Sequence, residues 1–134
     1  MKLTNLIPML NVSNLEASLD FYKRVLDFQV VSPTEAIIEW RWATIRSGDT
    51  ELMLSESDCD IGLKKGINPQ QEVSWPSILY FYPDDVDALY AHVTQQGFTP
   101  TPLEITFYGM KEFSLQDLDG HLLSFGQATN DQSV

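Results

Sequence analysis

PMLNVSNLEASLDFYKRVLDFQV (residues 8–30) and ILYFYPDDVDALYAHVTQQGFTP (residues 78–100) decide the fold, because they are one plan written twice. Each leads from a short apolar strand pattern into a helix and out toward a new strand, about 71 positions apart. Asn14 matches Asp85, Leu15 matches Val86, Ala17 matches Ala88, and Phe28 falls opposite Phe98. In the first copy Ser13 and Glu16 have the spacing of a capping box, and Leu15, Leu19, Tyr22 and Leu26 form an apolar stripe at helical spacing. In the second, the carboxylates of Asp84 and Asp85 suit a helix N-terminus, Val86, Leu89 and Val93 form the stripe, and Gly97 ends it.

Strand patterns follow each helix. After the first come FQVV, AIIEWRWATIR and TELMLSES, the last two joined at Ser47-Gly48-Asp49. After the second come GFTPTP, MKEFSLQD and HLLSFGQ, with Asp119-Gly120 turning the last pair. Each half therefore reads βαβββ, and the class is α+β. The expected layout is a first module over 1–62, a linker over 63–76, a second module over 77–128 and a polar tail over 129–134.

A chain of 134 residues with 43% hydrophobic content has enough apolar material for a real core. No apolar run approaches the roughly 20 residues that span a bilayer. The start, MKLTNLIPML, lacks the cleavage pattern of a signal peptide, so a cytoplasmic location is expected. Cys59 is the one cysteine, which excludes an intrachain disulfide framework and a multi-cysteine zinc site. The net charge of −11 repels phosphate backbones and anionic lipid, which argues against nucleic-acid and membrane partners. The same field steers cationic ligands inward.

A sheet under a helix buries one face and presents the other. Strand parity sends Leu10, Val12, Leu52, Leu54, Leu79, Phe81, Leu123 and Phe125 under the helices. It sends Ile7, Met9, Asn11, Glu51, Met53, Ser55, Ile78, Tyr80, Tyr82, Leu122 and Ser124 to the other face. That second set is apolar and aromatic with a few polar groups, the lining expected of a small-molecule pocket, a second core layer or a dimer interface.

VSNLEASLDFYKRVLDF together with FSLQDLDGHLLSFG resembles the vicinal oxygen chelate superfamily of glyoxalases, bleomycin resistance proteins and extradiol dioxygenases. The resemblance spans roughly residues 3–126 and implies paired βαβββ modules whose mixed sheets curl around a cup. Metal-dependent members carry ligands at four inward positions, which fall here on Ile7, Ile78, Ser124, and either Glu51 or Met53. Isoleucine has no lone pair to give, and a divalent site wants three or four donors, so no metal and no cofactor are expected. His92 on the second helix and His121 in a turn read as surface residues. No phosphate loop, nucleophile elbow or Cys–His pair suggests another chemistry.

Among metal-free members the chain is most similar to bleomycin resistance proteins, which implies a homodimer with two ligand clefts at the subunit interface. The family's stacking positions fall on Tyr80 and Tyr108, and a fourth-strand serine on Ser55. Trp40 and Trp42, in the strand pattern EWRWATIR, share one face by parity. With Met9, Met53 and Tyr82 they would widen the aromatic slot, and Glu51 would add charge complementarity. The expected function is stoichiometric sequestration of a planar or cationic antibiotic-like compound. Alternatives are a glyoxalase- or dioxygenase-type enzyme with an unusual metal site, and a ligand-sensing module.

Overall fold

Helix α1 (Leu15–Leu26) begins one residue later than the Ser13–Glu16 pattern predicts. Asn14 is the cap, its side-chain oxygen accepting from the Ala17 amide at 3.0 Å. The Glu16 carboxylate turns to Arg41, accepting from Nη1 at 2.7 Å and Nη2 at 2.6 Å. The computed structural model describes residues 1–56 and 77–129. Cys59 and the expected linker over 63–76 lie outside the described residues, as does all but the first residue of the expected tail. The chain divides into two units, Met1–Ser74 and Trp75–Val134.

In the first unit β1 (Met9–Val12), α1, β2 (Gln29–Val30), a short helix α2 (Thr34–Glu39), β3 (Trp42–Ser47) and β4 (Thr50–Glu56) follow in order. The sheet order is β1-β4-β3-β2, with β1 parallel to β4 and the remaining pairs antiparallel. In the second unit β5 (Ile78–Phe81), α3 (Val86–Gln95), β6 (Glu104–Ile105), β7 (Met110–Gln116) and β8 (Leu122–Ala128) form the order β5-β8-β7-β6, again with the first pair parallel. Two four-stranded mixed sheets, each with its crossover helix, make this an α+β protein of two βαβββ modules.

Two strand expectations fail. AIIEWRWATIR is not one strand: its first part is α2, and Arg41, at φ 52°, breaks the chain direction before β3 starts. Pro33 explains the helix, since a proline fixes φ and is well placed just ahead of a first helical turn. GFTPTP is not a strand either; β6 lies further on at Glu104–Ile105. The two prolines remove the amides a ladder would use, and Thr101 bonds back to β7, its N–H donating to the Ser114 carbonyl at 2.9 Å and its hydroxyl accepting from the Ser114 N–H at 2.8 Å.

The buried layer follows parity. Leu10, Val12, Ala43, Ile45, Leu52 and Leu54 lie under α1, whose Leu15, Phe21, Tyr22 and Val25 are buried with them. In the second unit Phe113, Leu115, Leu123 and Phe125 meet Val86 and Val93 of α3. The duplication extends to atoms. Each helix start is held by a glutamate or glutamine from the last strand of its sheet: Leu15 N–H donates to Glu56 Oε2 at 2.8 Å, and Val86 N–H to Gln127 Oε1 at 2.8 Å. Each is also crossed by an ion pair from the third strand of its sheet or the residue just before it. Arg41 joins Glu16 and Glu56 at 2.6 and 2.8 Å, and Lys111 joins Asp87 at 2.6 Å.

Candidate functional site

The sheet faces turned away from the helices carry the site candidates, and the two units furnish them differently. In the first unit the rows across the sheet are Met9–Met53–Thr44 and Asn11–Ser55–Trp42, with Glu51 opposite Arg46. Met9, Trp42, Glu51, Met53 and Ser55 thus share one face. Trp40 does not join them. It caps the C-terminal end of α2, is 69% exposed, and is separated from Trp42 by the left-handed Arg41. Glu51 is bound to its cross-strand neighbour, accepting from Arg46 Nε at 2.7 Å and also from its Nη2. Its charge is therefore already compensated on the sheet.

In the second unit the rows are Tyr80–Ser124–Ser114 and Gly126–Glu112. The Tyr80 hydroxyl donates to Glu112 Oε2 at 2.7 Å, and the Tyr108 hydroxyl donates to Glu112 Oε1 at 2.8 Å. Tyr80 stands on β5 and Glu112 on β7, so the phenol must pass over β8. It does so at Gly126, where an added Cβ would lie 1.9 Å from the Tyr80 hydroxyl oxygen and 3.1 Å from Met110 Cε. Desolvation, followed by the Glu112 carboxylate, pushes the Tyr80 phenol up from its usual pKa; for Tyr108 the hydrogen bond to Glu112 comes first. Both phenols therefore stay protonated as donors across the physiological range.

Exposed rings flank this triad. Tyr82 is 77% exposed and its ring centroid lies 5.2 Å from that of Tyr80; Phe107 is 99% exposed and meets Tyr108 edge-on at 4.9 Å. The turn holding Phe107 and Tyr108 is firmly tied, with Thr106 N–H donating to the Met110 carbonyl at 2.7 Å and Gly109 at φ 82°. Sequence reasoning missed Glu112, Phe107 and the spacing role of Gly126. Parity on MKEFSLQ held the signal for Glu112: with Phe113 and Leu115 buried, Met110, Glu112 and Ser114 must face the other way.

The four family ligand positions do not fit a chelated metal. Ile7 and Ile78 offer no donor atom, the Ser124 hydroxyl is paired with that of Ser114 at 2.8 Å, and Glu51 is held by Arg46. Among the described residues no three of His, Cys, Asp and Glu gather as a metal-holding group.

A family model described as the Glyoxalase/Bleomycin resistance protein/Dioxygenase superfamily matches residues 6–125. The chain belongs to that superfamily. No curated protein matches it by sequence. Among solved structures it is similar to TioX from Micromonospora sp. ML1, at TM-score 0.73 and 20% identity over 94% of this chain and 99% of that one. It is similar to TnmS3, an antibiotic binding protein from Streptomyces sp. CB03234, at TM-score 0.67 and 20% identity over 96% and 100%. A lactoylglutathione lyase from Agrobacterium tumefaciens shares the fold at TM-score 0.66 and 16% identity over 95% and 96%. Superfamily membership thus spans binders and enzymes, and the choice between them rests on side chains. No helix among the described residues is long and apolar enough to cross a membrane.

Proposed function

We propose that this superfamily member binds and sequesters a flat, aromatic or cationic small molecule of antibiotic-like character, working as a cytoplasmic homodimer without a metal. The observation that carries the reading is the Tyr80–Glu112–Tyr108 triad with Tyr82 and Phe107 beside it. Stacked or tilted aromatic faces hold planar compounds through dispersion and quadrupole attraction, roughly 0.5–1.5 kcal/mol per ring pair beyond burial. Sequestration needs no chemical step, in keeping with donor positions filled by isoleucines and a paired serine. That TnmS3, an antibiotic binding protein, shares the fold supports the same assignment. Met9, Trp42, Met53 and Ser55 share the corresponding face of the first unit and are proposed as ligand-contacting residues of that unit.

Fluorescence titration with bleomycin and with other planar compounds tests the proposal. Saturable quenching at one ligand per chain is expected, and Tyr108→Ala should weaken it at least tenfold while leaving the sedimentation of the dimer unchanged. Absence of binding by every compound, or stoichiometric turnover of any of them, would remove the sequestration reading.

A further inference from the structure

Ionic partners are assigned to five of the acidic side chains in this acidic protein: Asp20 to Arg24, Glu16 and Glu56 to Arg41, Glu51 to Arg46, and Asp87 to Lys111. Glu112 is different. It projects from a sheet face amid exposed rings, and among the described residues no Lys, Arg or His pairs with it. Its partners are two neutral phenols. A carboxylate has about four acceptor sites, so one donor on each oxygen leaves each with capacity for another. The phenols fix the orientation of the group without cancelling its charge. Gly126 shows that this is a built arrangement. Its φ is not in the left-handed region, so backbone freedom does not call for glycine there, whereas the space occupied by the Tyr80 phenol does.

We propose that Glu112 determines specificity at this face by receiving the protonated amine or amidine of a flat aromatic ligand, the cation lying beside the rings of Tyr82 and Phe107. The inference rests on the small-molecule reading above and adds the charge class of the ligand. Three features converge on it. An oriented, uncompensated carboxylate attracts a cationic donor through charge-assisted hydrogen bonds. Exposed aromatic faces next to it add cation–π attraction. The net charge of −11 raises the local concentration of such ligands.

A matched pair of probes tests it: proflavine, a cationic tricycle, and acridone, a neutral one of similar size and shape. Wild-type protein should bind proflavine at least tenfold more tightly than acridone at low salt, with the preference shrinking as sodium chloride is added. Glu112→Gln keeps the shape and one acceptor oxygen, so it should abolish the preference by weakening proflavine alone, leaving acridone within about twofold. Glu35→Gln removes the same unit of charge from α2 and should preserve the preference. Circular dichroism melting confirms that each variant folds. If Glu112→Gln leaves proflavine binding intact while Tyr108→Ala weakens both probes, Glu112 is not the determinant and the small-molecule reading survives. If neither probe binds the wild type, the assignment to Glu112 falls, and the small-molecule reading stands or falls on the bleomycin titration.

Discussion

The two units place their bulk on opposite layers. In Met1–Ser74 the large side chains belong to the helix, Phe21 and Tyr22, over a sheet that offers Ala43, Ile45 and Leu54. In Trp75–Val134 the fully buried helix residues are Val86 and Val93, with Tyr90 half-buried and edge-on to Phe113 at 5.3 Å, and the sheet carries Phe81, Phe125 and Phe113. Their rings stack in sequence, 5.2 Å and 5.0 Å between centroids. Ala43 opposite Leu54 and Phe113 opposite Phe125 occupy the same register in the two sheets. What repeats is the cap, the strand order and the pairing; what varies is which layer fills the space between them. Packing density must be met, and either layer can meet it.

Exchanging bulk at that register is the strongest way to break the comparison. Phe113→Ala removes a buried ring from the stack and should cost about 3–5 kcal/mol, read by urea unfolding. Ala43→Phe adds a ring beneath a helix that already supplies two, and should cost about 1–3 kcal/mol. A neutral result for Ala43→Phe would mean that the first unit has spare volume, and the exchange of layers would lose its physical basis.

The ion pairs that fasten the helix starts come next. Arg41 reaches Glu56 with Nε at 2.9 Å and Nη2 at 2.8 Å, and grips both oxygens of Glu16. Lys111 makes one pair with an Asp87 that is largely exposed. Arg41→Gln leaves two carboxylates facing each other and should be the more destabilising of the two changes, read by urea unfolding. Lys111→Gln should cost under about 1 kcal/mol. Equal effects would contradict the view that the guanidinium fork, rather than charge alone, secures the first unit.

Much of this was legible in the sequence because periodicity reports burial. The doubled βαβββ plan, the inward leucines and the placement of Tyr80 and Ser124 all follow from parity and from the repeat. What stayed hidden depended on contacts between distant residues. Ser13–Glu16 has the spacing of a capping box, but that spacing gives no sign that the Glu16 carboxylate turns to Arg41, a residue 25 positions away. AIIEW has β-branched residues that favour a strand, but Pro33 and the turn at Arg41 make it a helix. Trp40 and Trp42 therefore could not share a face. Glu112 is an ordinary polar position in MKEFSLQ until Gly126 lets a phenol cross the intervening strand.

Acid should distinguish the first helix start through one residue. The hydrogen bonds from Arg41, and then that from the Leu15 amide, hold Glu56 down to about 2 from the usual 4.5. A carboxylate with a lowered folded-state pKa stabilises fully above its unfolded value, so the contribution is intact above about pH 4.5 and drains as pH falls toward 2. The facing groups do not reverse the sign, since Arg41 remains charged and Glu16 is itself lowered by Arg41. Gln127 makes the corresponding contact with an uncharged amide. Glu56→Gln should therefore lower stability by about 1–2 kcal/mol at neutral pH. The gap between its melting curve and that of the wild type should close by about pH 2. A constant gap across the range would assign the effect to packing.

The smallest contrast concerns the open faces. Ser124 is buried to 8% exposure, and its hydroxyl shares a hydrogen bond with Ser114 at 2.8 Å. In the first unit the same register places Thr44 opposite Met53, whose thioether is only a weak acceptor. Ser114→Ala strands a buried hydroxyl and should cost about 1 kcal/mol, and adding Ser124→Ala should recover part of it, because removing both partners also removes the desolvation penalty. Thr44→Val should stay within about 0.5 kcal/mol of wild type. If the double serine variant is less stable than Ser114→Ala, the hydroxyl pair is not an isolated contact: Ser124 must then serve something else on that face, and its position beside Tyr80 makes binding of the proposed ligand the first property to measure.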